Sequence, residues 1–160
     1  MSGLIATYKS DLRHYGFRPL EHPVILIVDN DDGGKKVIKA GEKLAGTKFD
    51  QTRRPVFSVT ENLYIIPTPL GSSGEPSAIE DSFPQSVLDQ EIEGKKFDPK
   101  KNDGDGSSYR KHIFAEKKVR PGVGTINFSG FEPILKGVSQ AISDHQGRVS
   151  ARKAVAKKSA

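Results

Sequence analysis

Five consecutive aliphatic residues, Val24 to Val28, follow Pro23 and lead directly into an acidic turn. The run predicts a buried strand of a mostly parallel sheet. Asp29 and Asp31 come next, two residues apart, so an extended backbone directs both carboxylates to one face. Open α/β sheets bind their ligands at the carboxyl ends of strands, which is where both acids fall.

The acidic turn has two interpretations. Two hard oxygen donors at one point, with a third acid adjacent at Asp32, suit Mg²⁺ or Mn²⁺. Alternatively, the turn caps the helix that follows, for which Asp-Asp-Gly-Gly is well suited. We favour a metal site at Asp29 and Asp31, because a helix cap requires only one of these acids.

The composition excludes several classes of protein. The 160-residue chain has no Cys, which excludes disulfides, thiolate metal sites and cysteine nucleophiles and is typical of a reducing compartment. No apolar run approaches the roughly 20 residues of a membrane span, and the first residues lack the pattern of a signal peptide. We therefore expect a cytoplasmic protein with no membrane partner.

The net charge of +5 is concentrated at the end of the chain. From Gln146 onward there are five basic residues and no acid, while the rest of the chain is formally neutral. This predicts one domain over residues 1–145 and a basic, disordered tail over residues 146–160. Alternatively, such a tail binds nucleic acid phosphates non-specifically.

Hydrophobic periodicity predicts an α/β fold with a small sheet. The strands over 54–59 and 62–67 are close enough in sequence to pair as a hairpin. The other predicted elements are a strand over 24–28 and helices over 4–15, 35–44, 109–119 and 131–142.

Two further positions are candidates for site chemistry. Glu80 lies in an acidic pair between apolar residues, where it either caps a helix start or reaches a metal site. Lys111 lies early in the predicted helix over 109–119. A lysine directed at an acidic site stabilises charge that develops on a phosphate, although most single lysines are solvated on the surface.

The order and spacing of these segments resemble the Toprim fold, the metal-binding domain of topoisomerases, primases and overcoming-lysogenisation-defect nucleases. In particular, the chain is similar to the C-terminal Toprim-like extension of some retron-type reverse transcriptases, which are RNA-directed DNA polymerases. The resemblance covers roughly residues 20 to 145 and is carried by the segments 24–33, 62–67, 78–83, 109–115 and 130–135.

The resemblance implies a function and roles for four residues. Asp29 and Asp31 would hold Mg²⁺ or Mn²⁺, Glu80 would be a supporting acid, and Lys111 would lie near the scissile phosphate. The metal would polarise the phosphate and activate water. The implied activity is Mg²⁺-dependent phosphodiester cleavage or processing of DNA or an RNA–DNA hybrid, in defence against phage.

The chain departs from the family pattern before Pro23. A Toprim domain begins with a strand that ends in a glutamate. The first 22 residues show no such strand, and their one glutamate, Glu21, lies at the wrong end of the strand over 24–28; the polymerase signature Tyr-x-Asp-Asp is also absent. We therefore expect a truncated fragment without the polymerase body, with a small Toprim-like sheet that lacks its first strand. Such a fragment would be weakly stable alone or would associate with a chain that supplies the missing strand and glutamate.

A rival hypothesis belongs to a different class of function. In it the chain is a non-catalytic module, either nucleic-acid-binding or regulatory. The acids at the end of the first strand are then structural, and the basic tail holds nucleic acid.

Overall fold

The computed structural model describes residues 2–14, 20–99 and 108–158, and these form a mixed α/β structure with small sheets. The chain divides into two compact units, where we expected one domain over residues 1–145. The first unit consists of Met1–Ile79 and Pro133–Ala160, and the second of Glu80–Glu132.

The strands are β1 Val24–Val28, β2 Phe57–Ser58, β3 Leu63–Pro67, β4 Lys96–Phe97 and β5 Ser108–Tyr109. The α-helices are α1 Ser2–Asp11, α2 Asp32–Ala45, α3 Gln85–Leu88, α4 Lys111–Phe114, α5 Arg120–Gly122 and α6 Glu132–Lys158.

A three-stranded sheet forms the centre of the first unit, with strand order β1-β3-β2. β1 is parallel to β3, with Val24 opposite Leu63 and Val28 opposite Pro67. β2 is antiparallel to β3, which confirms the predicted hairpin. The parallel pairing brings the ends of β1 and β3 to the same edge of the sheet, where the acidic turn lies.

The two faces of this sheet are covered by different helices. On one face Leu63 and Ile65 pack in a cluster with Ile5 of α1 and Val37 of α2. On the other face Tyr64 and Ile66 pack with Ala141 of α6. All five residues of β3 are buried, as expected for a strand with helices on both faces.

β1 is less buried than its apolar sequence predicts. Val24 is 37% exposed and Ile27 is 42% exposed, so the prediction of a buried strand is wrong for most of β1. The reason is position: among the described residues β1 pairs only with β3, and therefore lies at an edge of the sheet.

The bounds of α2 follow from its sequence, close to the predicted range 35–44. The carboxylate of Asp31 accepts a hydrogen bond from the backbone N of Gly34, which makes Asp31 the N-cap. At the other end Gly46 has φ 69°, a left-handed conformation that glycine adopts at no steric cost. α2 packs close to the sheet at Gly41, where an added Cβ would lie 2.8 Å from Cδ1 of Ile65.

α6 is much longer than the predicted helix over 131–142. It continues to Lys158, so residues 146–158, which we expected to form a disordered tail, are helical. Contacts with the rest of the first unit explain the difference. The ring of His145 is 2% exposed with Nε2 2.8 Å from the Leu20 carbonyl oxygen, and Lys153 Nζ lies 2.6 Å from Glu21 Oε1. Within the described ranges, no helix is both long enough and apolar enough to cross a membrane.

The predicted first helix, over 4–15, also differs at its end. α1 stops at Asp11, and a 3-10 turn follows over Leu12–His14. Tyr15 lies outside the described residues.

The second unit has its own small core. Val87, Tyr109 and Phe114 are buried together, and Phe83 contacts Phe114 edge to face with ring centroids 5.2 Å apart. β4 and β5 form a short parallel pair. α4 lies in the helix predicted over 109–119 and passes into a π-helical turn, Ala115–Val119, before α5.

Candidate functional site

The residue between the two candidate metal ligands fixes the end of β1. Asn30 is 4% exposed, and its backbone N donates to the carbonyl oxygen of Ser77 at 2.7 Å. Its side-chain Nδ2 donates to Gln51 Oε1 at 2.6 Å and to the Thr68 carbonyl oxygen at 3.1 Å. The side chain of Asn30 is therefore held inside the first unit by Gln51 and Thr68, and its backbone by Ser77.

Asp29 and Asp31 line the same surface cavity, of about 430 Å³, as their spacing of two residues predicts. Lys36 of α2 also lines this cavity, and the N-terminus of α2 adds the positive end of the helix dipole. The charge around the two carboxylates is thus partly balanced before any cation binds.

Each of the two carboxylates also has a structural contact. Asp31 Oδ1 accepts from Gly34 N at 2.8 Å, which confirms the helix-cap interpretation for this residue. Asp29 Oδ1 accepts from Ile79 N at 2.9 Å and so holds the backbone at Ile79. An ionised carboxylate has about four acceptor positions on its two oxygens, so these contacts are compatible with a bound cation.

Gly34 is required by the close approach of α2 to the end of β1. A Cβ at this position would lie 1.7 Å from the carbonyl oxygen of Asp29, which is a backbone atom and cannot rotate away. The glycine therefore allows Asp29 and the first turn of α2 to lie side by side.

Glu80 and Lys111 are brought together in the second unit. Glu80 lies in the first turn of Ile79–Ser82 and is 8% exposed. Lys111, in the first turn of α4, has its Nζ 2.8 Å from Glu80 Oε2. A half-exposed lysine thus supplies the counter-charge that a buried carboxylate needs.

The chemistry of the carboxylate pair fits a hard cation with a small number of protein ligands. Among the described residues, no three His, Cys, Asp or Glu side chains are grouped so that they could hold a metal ion. Mg²⁺ is commonly bound by one or two carboxylates and completes its shell with water. Asp29 and Asp31 are the pair that this cavity offers for such binding.

The residues that sequence reasoning missed are those that hold the turn in place. Asn30, Thr68 and Ser77 form a buried hydrogen-bond network in which Thr68 Oγ1 contacts Ser77 Oγ at 2.7 Å. A polar residue between two acids looks like part of a solvated turn, so the sequence carries no local signal of this network. No protein-family model matches the chain, and no solved structure matches it.

Proposed function

We propose that the chain is a Toprim-like nucleic-acid-processing module of the kind attached to retron-type reverse transcriptases, with a divalent cation bound by Asp29 and Asp31. One observation carries the proposal: both carboxylates follow a strand of a parallel pair and line one cavity at its carboxyl end. A Mg²⁺ or Mn²⁺ ion held there would polarise a backbone phosphate and activate water.

The resemblance assigns roles to Glu80 and Lys111 in the same chemistry. The 2.8 Å ion pair keeps the ammonium of Lys111 in place beside a carboxylate. An ammonium group has three N–H donors, so Lys111 can contact a phosphate without leaving Glu80. In this proposal Glu80 orients Lys111, and Lys111 contacts the nucleic acid.

The proposed partner chain is supported by the open side of β1. Val24 N donates to Asn62 O, and Val28 O accepts from Thr68 N, so the backbone groups of both residues are directed towards β3. Alternate residues of a parallel strand bond to opposite sides, so Ile25 and Ile27 direct theirs to the other side. No described strand pairs there. In this proposal a strand of another chain, ending in the glutamate that the Toprim resemblance implies, would complete the sheet at that edge.

Metal titration of conservative variants tests the cation site. Asp31→Asn retains a capping side chain for α2, and Asp29→Asn retains an oxygen for the Ile79 amide, so each variant removes charge with little change of shape. Each is expected to weaken Mn²⁺ binding by at least about tenfold. Binding is measured by electron paramagnetic resonance of unbound Mn²⁺.

Asp32→Asn is the matched control for this titration. The side chain of Asp32 is 95% exposed and pairs only loosely with Lys35, at 3.6 Å, so its loss should leave Mn²⁺ binding unchanged. Equal binding by all three variants and the unsubstituted chain would remove the basis of the proposal.

The contacts of the same acids favour a second candidate function, a non-catalytic nucleic-acid-binding or regulatory module. In it Asp31 serves as the cap of α2, Asp29 as the anchor of Ile79, and Glu80 as the counter-ion of Lys111. This candidate predicts that the chain binds an oligonucleotide in the presence of EDTA, and that Asp29→Asn and Asp31→Asn change neither that affinity nor Mn²⁺ binding.

A further inference from the structure

Half of the residues that line a second cavity in the first unit are charged. It has a volume of about 380 Å³ and lies between the segment 47–58 and α6. Its basic lining residues outnumber its acidic ones, Asp50 and Asp144. The basic residues are Lys48, Arg53, Arg54 and Arg148.

Within the described part of the chain, the ion pairs at this cavity leave two arginines without a carboxylate partner. Lys48 Nζ is 3.2 Å from Glu42 Oε2, and Arg53 Nε is 3.2 Å from Asp50 Oδ2. Neither Arg54 nor Arg148 forms an ion pair with a described residue. Asp144 lies one turn before Arg148 on α6 without forming an ion pair with it, so it reduces the local positive potential but does not occupy the guanidinium.

Arg148 is held in a fixed orientation at the cavity. Its Nη1 donates to Ser58 Oγ at 2.7 Å, and its guanidinium carbon lies 5.6 Å from the centroid of the Tyr64 ring. A guanidinium has five N–H donors, and only one of them is used by Ser58. The remaining donors form a planar array that matches phosphate oxygens.

Two aromatic residues are part of the cavity lining. Phe49 and Phe57 stack with ring centroids 4.9 Å apart, and both residues line the cavity. A lower local dielectric constant beside such apolar residues strengthens the attraction between a charged side chain and a bound ion, relative to an open surface.

We propose that this cavity binds a backbone phosphate of nucleic acid, with Arg54 and Arg148 as the residues that contact it. The identity of the ligand rests on the proposed nucleic-acid function, whereas the chemistry that is recognised is a phosphate oxyanion. The contact comes from an ordered arginine on α6 and an arginine of the segment 47–58, and not from a disordered tail.

Fluorescence anisotropy with a labelled single-stranded oligonucleotide tests this assignment. EDTA is present throughout, so a cation at Asp29 and Asp31 cannot contribute. Arg54→Gln and Arg148→Gln are each expected to lower the affinity by about tenfold, the value of one charge-assisted hydrogen bond. Each should also reduce the slope of log affinity against log salt by about one.

The matched control is Arg120→Gln, which removes an arginine that is exposed in the second unit and paired with Glu116. Because Arg148 contacts Ser58 and Tyr64, its variant is also checked for an unchanged unfolding midpoint. The side chain of Arg54 has no hydrogen bond or ion pair with a described residue, so its variant has no such contact to lose. If both cavity variants bind like Arg120→Gln, the inference is overturned, and the Mn²⁺ titration still decides the proposed cation site independently.

Separate titrations distinguish the two sources of phosphate. Inorganic phosphate and the oligonucleotide are each titrated by calorimetry into the unsubstituted chain and into Arg54→Gln. Oligonucleotide binding that weakens in the variant supports the proposal. Binding of inorganic phosphate alone, or of neither anion, overturns the assignment to nucleic acid.

Discussion

Residues at the end of β1 have different roles, depending on whether the side chain is buried in the first unit or lines the cavity. Asn30 is buried and bonds to Thr68 and Gln51, which fixes the backbone. Its neighbours Asp29 and Asp31 face a cavity, and each also accepts a backbone hydrogen bond. Asp31 accepts from Gly34 in the first turn of α2, and Asp29 accepts from Ile79. A substitution here therefore affects both the fold and the cavity, which is why the tests above use Asp→Asn variants.

Gly34→Ala is expected to destabilise the first unit by about 3 kcal/mol. The new Cβ would lie 1.7 Å from the Asp29 carbonyl oxygen, so α2 must move away from β1. The change is measured as the free energy of unfolding in urea. Gly147→Ala is the control, since a Cβ there has nothing within 4 Å and should raise stability by up to about 1 kcal/mol. Equal effects of the two substitutions would contradict the close approach at Gly34.

Glu42 gives the first unit a dependence of stability on pH. Its Oε1 accepts from Phe49 N at 2.9 Å, and this hydrogen bond, with a smaller contribution from Lys48, lowers the pKa of Glu42 below its ordinary value of 4.5. Because the folded pKa is the lower one, the carboxylate stabilises the fold above about pH 4.5. That stabilisation is lost as the pH falls through the folded pKa.

Glu42→Gln is therefore expected to be less stable than the unsubstituted chain at neutral pH and to approach it in acid. The measurement is the urea midpoint at a series of pH values from neutral to well below 4.5. Asp32→Asn, in the exposed first turn of α2, serves for comparison. A constant difference between Glu42→Gln and the unsubstituted chain at every pH would show that the Phe49 contact has no such role.

The elements of the fold were predictable from sequence to different extents. The hairpin of β2 and β3 and the position of α2 follow from local pattern, because turn and cap residues mark their ends. The exposure of β1 does not follow from local pattern, since it depends on which strands are its neighbours. The length of α6 does not follow from local pattern either, because Ala141 and His145 are buried by contacts with residues far along the chain.

The open edge of β1 predicts self-association of the isolated chain as its concentration rises. Val24→Lys places a charge on this edge, at a side chain already 37% exposed, and is expected to shift the chain towards monomer without lowering stability. Sedimentation velocity over a range of concentrations measures the shift. Leu135→Lys, at a residue 60% exposed on α6, should have no such effect. A monomeric, cooperatively folded chain at all concentrations would show the prediction to be wrong.

For the whole molecule, the sequence predicted the class of fold but not the division of the chain into two compact units. The mixed α/β class with small sheets is confirmed. The division into two units, with the second placed in sequence between Ile79 and Pro133, was not predicted, because it depends on which distant segments pack together. The carboxylate pair at Asp29 and Asp31 was found from spacing alone, whereas the network around Asn30 required contacts with Thr68 and Ser77. The Toprim-like assignment stays a prediction that the metal titration addresses.

The return of α6 to the first unit affects how the protein is made. Translation proceeds from the N-terminus, so all three strands of the sheet leave the ribosome before residues 80–132, and α6 follows last. Until Ala141 arrives, the face of the sheet that carries Tyr64 and Ile66 has no cover from α6. Nascent chains with uncovered apolar surface are prone to aggregate. The time that ribosomes take to pass through the second unit therefore sets how long this apolar face of the sheet stays without its α6 cover.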